Sequence, residues 1–191
     1  MTDSCSRGAI FLDRDGVIII NREDYVKSWD EVHFVPGASA AIRSLNEAGW
    51  RVVMVTNQSC VGRGIVTDAF VRAIHDRMLQ EIAAEGGRID SVFFCPHHPE
   101  VGCDCRKPLP GMLHQAAVEL GIDLNSSYII GDSLTDIQAG ASAGVKGVLV
   151  RTGHGTASEA KLLAGSASAT PVAIADALPE ACAWILKLTS E

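Results

Sequence analysis

The chain has 191 residues, of which 47% are hydrophobic and 20% are charged. This balance argues against disorder and indicates one soluble domain, residues 1–191, that can bury a hydrophobic core. Lys and Arg total 16 against 23 Asp and Glu, a net charge of −7 that provides no basic surface for a nucleic-acid backbone. We therefore expect a small-molecule partner and no nucleic acid.

No hydrophobic segment of the sequence suits a membrane span or a secretion signal. The first eight residues, MTDSCSRG, contain no apolar segment, and no run approaches the roughly 18 apolar residues that a membrane span needs. We therefore expect a cytoplasmic protein without membrane contact. A monomer is the default expectation, because the sequence specifies no oligomer.

Short apolar runs alternate with segments of helical periodicity along most of the chain. The predicted strands are Ala9 to Leu12, Arg51 to Val55, Ser91 to Phe94, Tyr128 to Ile130 and Gly147 to Val150. The predicted helices run from about Ala38 to Ala48, Asp68 to Glu85 behind Thr67 as N-cap, Pro110 to Leu120 and Leu134 to Ala143. Strands that alternate with helices predict an α/β fold with a central parallel sheet and helices on both faces.

The segment after Arg151 carries weaker signals. Residues 156–170 are rich in Ala, Ser and Gly, and no helix or strand is predicted there. A short strand-like stretch near Val172 and a helix from about Asp176 to Leu188 are predicted to follow.

Polar residues follow the predicted strands, where a parallel sheet binds its ligands. Asp13 and Asp15 leave the first strand with one residue between them, and Gly16 allows the backbone to turn sharply. Two carboxylates this close repel each other unless a cation lies between them. Mg²⁺ prefers a few carboxylates together with substrate phosphate, so the pair indicates a magnesium site, with an ordinary surface turn as the alternative.

Three further groups lie at or near later strand ends. The second strand leads into Thr56-Asn57-Gln58-Ser59, which could be a phosphate-binding cluster or an N-capping loop. Arg106-Lys107 could bind an anion or be a solvated basic pair. The fourth strand leads into Asp132 and, four residues on, Asp136, which alone could simply favour the helix dipole.

The sequence contains, in this order, an acid pair, a hydroxyl cluster, a lysine and a second acid site. This order resembles the four motifs of the haloacid-dehalogenase-like (HAD) phosphohydrolases. The resemblance covers nearly all of the chain to about Gly155 and implies a single Rossmann-like HAD domain. The segment between Asp15 and Ala38 is too short for a cap domain, so we expect an uncapped site.

The resemblance implies a role for each motif. Asp13 would be the nucleophile that forms an aspartyl-phosphate, and Asp15 would be the general acid and then the general base. Thr56 and Lys107 would hold the phosphoryl oxygens. The implied magnesium ligands are Asp13, the backbone carbonyl of Asp15 and Asp132, with Asp136 either an outer-shell ligand or a helix-start acid.

Residues 95–105 form a cluster of cysteine and histidine, CPHHPEVGCDC. Three thiolates and one imidazole are a typical structural Zn²⁺ set, and the predicted ligands are Cys95, His97, Cys103 and Cys105. His98 is a competing ligand, although the spacing favours His97. A disulfide between the last two cysteines would close a very small ring, and unrelated reduced cysteines are the remaining alternative. Zinc would stiffen the loop that leads into Arg106 and Lys107.

This loop, together with the strings FLDRDGV, VTNQS, CDCRKP, GDSLTD and VLVRTG, resembles one branch of the superfamily. That branch is the D-glycero-D-manno-heptose-1,7-bisphosphate 7-phosphatases, with the histidinol-phosphate phosphatases as near relatives. The resemblance implies magnesium-dependent removal of the 7-phosphate in the synthesis of activated heptose. A histidinol-phosphate phosphatase or a catalytically silent, zinc-stabilised binding module is the alternative, and net acidity disfavours a polynucleotide 3′-phosphatase.

The same resemblance implies substrate contacts. Arg106, before the motif lysine, would recognise the substrate and belong to the catalytic set. The other implied substrate-binding residues are Asn21, Arg22, Glu23, Asp24, Thr56, Asn57, Gln58, Ser59 and Lys107. Two residues depart from the family pattern: Val17 stands where many members have threonine, and Cys60 where a glycine is common. The loop from His97 to Cys103 is also shorter than in some relatives, which leaves the preferred anomer open.

Overall fold

The apolar runs of the sequence form one parallel sheet. The computed structural model describes residues 8–189, so most of the amino-terminal segment used above to argue location lies outside it. The strands are β1 (Ala9–Leu12), β2 (Arg51–Asn57), β3 (Ser91–Cys95), β4 (Tyr128–Gly131), β5 (Lys146–Val150) and β6 (Ala173–Ala175). They lie in the order β3-β2-β1-β4-β5-β6, and each neighbouring pair is parallel.

Helices cover both faces of the sheet, as predicted. They are α1 (Ala38–Glu47), α2 (Ser59–Gly62), α3 (Asp68–Ala84), α4 (Gly111–Leu120), α5 (Leu134–Ser142), α6 (Gly155–Leu163) and α7 (Leu178–Thr189). Because side chains alternate along a strand, Ile10 and Leu12 pack into a core with α1, α3 and α7. Ala9 and Phe11 pack on the opposite face, into a second core with α4 and α5.

The strands and helices predicted from the sequence are confirmed, with small changes at their ends. β2 continues past Val55, so Thr56 and Asn57 belong to the strand rather than to the loop that follows it. Thr67 caps α3 as predicted, because its hydroxyl accepts a hydrogen bond of 3.1 Å from the backbone N–H of Phe70.

Two helices have no counterpart in the sequence prediction. α6 occupies most of the first half of the Ala-, Ser- and Gly-rich segment, and only Gly155 and Ser158 of its residues are buried. Hydrophobic periodicity therefore gives little signal there. α2 is a single turn, which is too short to display a period of 3.6 residues. The weak signals further on correspond to β6 and α7.

The strand order identifies one crevice of the sheet as the candidate ligand-binding site. β2 and β3 lie on one side of β1, while β4, β5 and β6 lie on the other, so the order reverses between β1 and β4. Open parallel sheets bind ligands at the carboxyl ends of the strands at such a point. The backbone N–H of Asp13 donates to the carbonyl of Ile130 at 3.0 Å and so continues the pairing of β1 with β4 into the crevice.

The segment between β1 and α1 adds a wall to this crevice rather than a cap domain, as predicted. Val17, Ile18 and Ile19 are fully buried in the first core, and Ile19 forms an isolated antiparallel bridge with Phe34.

Among residues 8–189, no helix combines the length and the apolar character needed to cross a bilayer.

Candidate active site

Lys107 lies at the centre of the crevice, between two carboxylates. Its ammonium Nζ is 2.9 Å from Asp13 Oδ1 and 2.5 Å from Asp136 Oδ1, and it donates to the carbonyl of Val55 at 2.8 Å. Burial lowers the pKa of Lys107, but the two carboxylates outweigh it and hold that pKa above its ordinary value. Lys107 is therefore a fixed positive charge directly beside Asp13.

Asp136 uses both of its carboxylate oxygens. Oδ2 accepts a hydrogen bond of 3.1 Å from the backbone N–H of Ser133 and completes a capping box at the start of α5. Oδ1 faces Lys107. Of the two roles that the sequence left open, the capping box shows the helix-start role, and Asp136 also lies in the group of carboxylates that could hold a metal ion.

The backbones of two glycine-containing loops pack closely against the carboxylate of Asp132. Its Oδ2 accepts a hydrogen bond of 2.8 Å from the backbone N–H of His154, in the loop after β5. A Cβ atom on Gly16 or on Gly153 would come within 2.1 or 2.0 Å of that oxygen, and both glycines have positive φ. Both positions therefore require glycine, and two loops far apart in sequence hold one carboxylate in place.

The carboxylates of this crevice have the chemistry of a magnesium site. One oxygen from each of Asp13, Asp132 and Asp136 lies within 4.8 Å of the others. Burial raises the pKa of Asp13 to about 6, against the effect of Lys107. Burial, with the charge of Asp13 added, raises the pKa of Asp132 to about 8. A divalent cation with a preference for hard oxygen ligands would offset this cost, so the residues fit Mg²⁺.

Asp15 is held by two neighbouring side chains at the edge of the same crevice. The guanidinium of Arg14 donates from Nε to Oδ2 and from Nη2 to Oδ1, both at 3.0 Å. Gln58 Nε2 donates to Asp15 Oδ2 and to the Thr56 hydroxyl, both at 2.9 Å. Of the predicted hydroxyl and amide cluster, Gln58 therefore orients the acid, while Thr56 lines the crevice.

Asn57 binds the backbone of Lys107. Its Oδ1 accepts from the Lys107 N–H at 3.1 Å, and its Nδ2 donates to the Lys107 carbonyl at 3.0 Å. Asn57, which was predicted as a substrate-binding residue, thus attaches the end of β2 to the lysine loop and also lines the cleft.

The crevice is an open cleft of about 330 Å³, within the range of small-ligand sites. Its lining includes Asn21, Arg22 and Glu23 but not Asp24, whose carboxylate pairs with Arg22 and Lys27 instead. The predicted site residues that share this lining are Asp13, Asp15, Thr56, Asn57, Gln58, Ser59, Arg106, Lys107 and Asp132.

Five lining residues were not assigned a role from the sequence: Arg14, Tyr25, Ser133, Thr135 and His154. Tyr25 is the only described non-glycine residue with a positive φ, 66°, and its hydroxyl is 3.5 Å from Ser59 Oγ. Arg14 lies inside the acid-pair motif and Ser133 inside the fourth, so their positions in the sequence were a usable signal. Tyr25 and His154 gave none, because only the folded loops bring them to the cleft.

Arg106 has a donor available for an anion. Its Nη1 is buried and has no hydrogen-bond partner among the described residues, and its side chain lines the cleft. A buried guanidinium N–H without a partner is costly, so this group is suited to a substrate oxygen.

The four predicted zinc ligands lie together beside the cleft. Cys95 Sγ is 3.6 Å from His97 Nδ1 and 3.5 Å from Cys103 Sγ, while Cys105 Sγ is 3.2 Å from that Nδ1 and 3.5 Å from Cys103 Sγ. In a tetrahedron with Zn–S bonds of about 2.3 Å, the sulfurs lie about 3.8 Å apart, whereas a disulfide would bring two sulfurs to about 2.05 Å. The cluster fits a tetrahedral zinc ion and contains no disulfide.

His98 does not join this cluster. Its Nδ1 accepts a hydrogen bond of 3.3 Å from the backbone N–H of Glu100 and caps a short 3-10 helix, Pro99–Val101.

The thiol of Cys105 is the ligand that gains most from a bound cation. Burial, and then the neighbouring thiols, raises the pKa of Cys105 above its ordinary value, and a cation would lower that pKa again.

The zinc-site loop, residues 95–105, is closely packed at both ends. The backbone N–H of Gln58 donates to the Cys95 carbonyl and that of Gly62 to the Pro96 carbonyl, both at 2.8 Å. At the other end, a Cβ atom on Gly111 would come within 2.3 Å of the Asp104 carbonyl. The loop thus joins α2 and the start of α4.

Comparison with known proteins identifies similar sequences. Residues 104–181 match the family model described as HAD-hydrolase-like. The chain is 43% identical to a D-glycero-beta-D-manno-heptose-1,7-bisphosphate 7-phosphatase of Pseudomonas aeruginosa over 150 residues, 78% of this chain and 84% of that one. It is 48% identical to the protein of the same name from Bordetella bronchiseptica over 146 residues, 76% of this chain and 82% of that one.

Comparison with solved structures gives the same result. The crystal structure of D,D-heptose 1,7-bisphosphate phosphatase from B. bronchiseptica, complexed with magnesium and phosphate, superposes with a TM-score of 0.87. The two chains are 41% identical, and the match covers 95% of this chain and 99% of that one. A heptose bisphosphate phosphatase from Burkholderia thailandensis matches with a TM-score of 0.71 and 35% identity, over 94% of this chain and 99% of that one.

Proposed function

The chain belongs to the D-glycero-beta-D-manno-heptose-1,7-bisphosphate 7-phosphatase family of HAD-like hydrolases and is a phosphatase, and we propose that it removes the 7-phosphate of that β-configured heptose bisphosphate. The observation that carries the proposal is the convergence of Asp13, Lys107 and Asp132 at the β1/β4 crevice, with the unpaired Nη1 of Arg106 in the same cleft.

The first half of the reaction would transfer the phosphoryl group to the protein. An Asp13 oxygen attacks phosphorus, the bond from phosphorus to the C7 oxygen breaks, and Asp15 gives its proton to the departing alcohol. Lys107 and the Thr56 hydroxyl hold the phosphoryl oxygens while charge moves.

The second half would return the protein to its starting state. Asp15 removes a proton from a water molecule, whose oxygen attacks the phosphorus of the aspartyl-phosphate. The bond from phosphorus to Asp13 breaks, phosphate leaves, and Asp15 is again protonated. Gln58 and Arg14 keep Asp15 at the edge of the cleft through both halves.

Two metal ions are part of the proposal. Mg²⁺ would be held by Asp13, the backbone carbonyl of Asp15 and Asp132, and would neutralise the charge of the phosphoryl oxygens. Zn²⁺ would be held by Cys95, His97, Cys103 and Cys105 and would shape the loop that presents Arg106 and Lys107.

Substrate recognition would rest on the residues around the cleft mouth. Arg106 would bind the sugar or its distal phosphate, with Asn21, Arg22 and Glu23 beside the sugar. We place the reaction in the cytoplasm, within the synthesis of activated heptose, and expect a monomer to be sufficient because one chain supplies every residue named.

A phosphate-release panel tests this proposal. We expect the highest kcat/KM with the β-anomer of the heptose bisphosphate, and lower values with the α-anomer, histidinol phosphate, other sugar phosphates and a DNA 3′-phosphate. A preference for histidinol phosphate would contradict the substrate assignment while leaving the phosphatase assignment intact. No phosphate release from any of these esters with Mg²⁺ present would contradict both.

A further inference from the structure

His75 is a buried titratable residue that the proposed mechanism does not use. It lies on α3, is 3% exposed, and packs edge-on against the Phe94 ring with the ring centroids 5.4 Å apart. Its Nε2 is 3.1 Å from Nη1 of Arg14, the residue between the two catalytic aspartates.

The direction of this hydrogen bond is fixed by chemistry. A guanidinium can only donate, so Nε2 of His75 must be the acceptor and the ring proton must be on Nδ1. Burial, and then the charge of Arg14, lowers the pKa of His75 to about 3, so the ring is neutral and can accept at neutral pH.

Arg14 transmits this contact to Asp15. The guanidinium is a rigid plane, so the bond from Nη1 to His75 also sets the direction of Nε and Nη2. Those two groups form the fork that binds both oxygens of Asp15, each at 3.0 Å. Arg14 is itself 3% exposed, so its guanidinium is largely shielded from solvent.

The geometry points to His75 as a positioning residue that, through Arg14, fixes the orientation of the Asp15 carboxylate for proton transfer. α3 suits this purpose, because Ile74, Met78 and Ile82 hold the same helix in the first hydrophobic core. Asp15 alone is a short side chain at the edge of an open cleft, with 24% of its surface exposed, and its rotamer needs such support.

This inference rests on the proposed role of Asp15 as the general acid, and leaving groups test the two separately. Proton donation matters for an alkyl leaving group and much less for p-nitrophenolate, which leaves without a proton. Asp15→Asn should therefore lower kcat/KM for β-glycerophosphate about 10²- to 10⁴-fold and for p-nitrophenyl phosphate far less.

His75→Leu, which removes the acceptor, should show the same selectivity on a smaller scale. We expect kcat/KM, which reports the first half of the reaction only, to fall about 10- to 100-fold for the alkyl ester and less than about 3-fold for the aryl ester, whereas kcat can fall for both because both form the same aspartyl-phosphate. His75→Gln places an amide oxygen near the position of Nε2 and should restore most of the activity. If the leucine variant does not fold, His75→Met provides the same test, since its flexible side chain adapts to the space.

Met78→Ala is the matched control, because it loosens the packing of the same helix without removing a hydrogen bond. It should leave the ratio of alkyl to aryl activity unchanged. Equal losses on both esters in His75→Leu, or the same ratio change in Met78→Ala, would overturn the inference and leave the role of Asp15 standing. If Asp15→Asn itself shows no leaving-group selectivity, the general-acid assignment fails and the inference fails with it.

Discussion

Two parts of the molecule differ in the metal ligands that they offer. The acid centre, which consists of Asp13, Lys107, Asp132 and Asp136, offers carboxylate oxygens, whereas the zinc-site loop offers thiolates and an imidazole. In the acid centre, the Lys107 and Asp136 side chains are 3% and 1% exposed, and hydrogen bonds to backbone groups fix Asp132, Asp136 and Lys107. In the loop, His97 is exposed, Cys103 and Cys105 are half-buried, and the four ligand atoms have mostly one another as partners.

This difference separates two ways of building a site. The sheet and its glycine turns position the carboxylates through close packing and hydrogen bonds to the rest of the fold. The loop is closely packed at its ends, whereas the ligand atoms between those ends contact mostly one another, so a bound ion would add the most support there. We therefore expect damage to the acid centre to remove activity without much loss of structure, and damage to the loop to weaken both metal binding and activity.

Asp13→Asn gives the largest expected effect. Phosphate release should fall by on the order of 10⁴-fold or more, because the amide cannot act as the nucleophile. Folding should be nearly unchanged, since the side chain keeps its size and still accepts a hydrogen bond from Lys107. Steady-state turnover and a thermal melt measure the two quantities. Wild-type turnover by this variant would show that another group attacks phosphorus.

Cys103→Ser tests the loop. Zinc content should fall below one equivalent per chain, and kcat/KM should fall roughly 10- to 100-fold, because Arg106 and Lys107 lose their positions. The yield of folded protein should change less, since the two cores lie elsewhere. Elemental analysis alongside kinetics decides the matter, with Cys182→Ser as a control for loss of a buried thiol distant from the cluster. Zinc well below one equivalent in fully active, reduced wild-type protein would refute the zinc site.

Arg106→Ala should have a smaller and more selective effect. We expect KM for a sugar bisphosphate to rise about 10- to 100-fold, and KM for a small phosphate monoester to change little, because a charge-assisted bond to the substrate body is lost. Arg88→Ala is the control, as Arg88 pairs with Asp90 before β3, at the other end of the sheet. Equal losses on both substrates would instead place Arg106 at the transferring phosphoryl group.

Asn57→Ala should have the smallest effect and tests the link between the two regions. Loss of its two bonds to Lys107 should destabilise the fold by about 1–3 kcal/mol and lower kcat about 10-fold. Asn46→Ala is a matched control, because the Asn46 side chain also makes one bond to a backbone N–H, that of Arg88, and one to a backbone carbonyl, that of Trp50. A similar loss of stability without loss of kcat is expected there. Unchanged kcat in Asn57→Ala would show that Lys107 does not depend on this link.

Much of this arrangement was predictable from the sequence. The alternation of strands and helices indicated the parallel sheet, and the position of Asp13, Thr56 and Asp132 at strand ends indicated where they meet. Ligand spacing alone favoured His97 over His98, and His97 is the residue that lies in the cluster.

Other features depend on contacts between distant segments, which no local pattern reveals. His75 reads as one more residue on an ordinary helix until the fold brings it to Arg14. The resemblance indicated Asn57 as a substrate-binding residue, but nothing in the local sequence indicated that its amide also binds Lys107 across 50 residues. α6 escaped prediction because few of its residues are buried.

The most direct test of the proposed activity is the site of cleavage on the substrate itself. ³¹P NMR of D-glycero-β-D-manno-heptose 1,7-bisphosphate incubated with the protein and Mg²⁺ should show the C7 phosphate signal replaced by inorganic phosphate, while the anomeric phosphate persists. The Asp13→Asn variant should leave both signals unchanged. Loss of the anomeric phosphate first, or no change in either signal while histidinol phosphate is hydrolysed under the same conditions, would contradict the account.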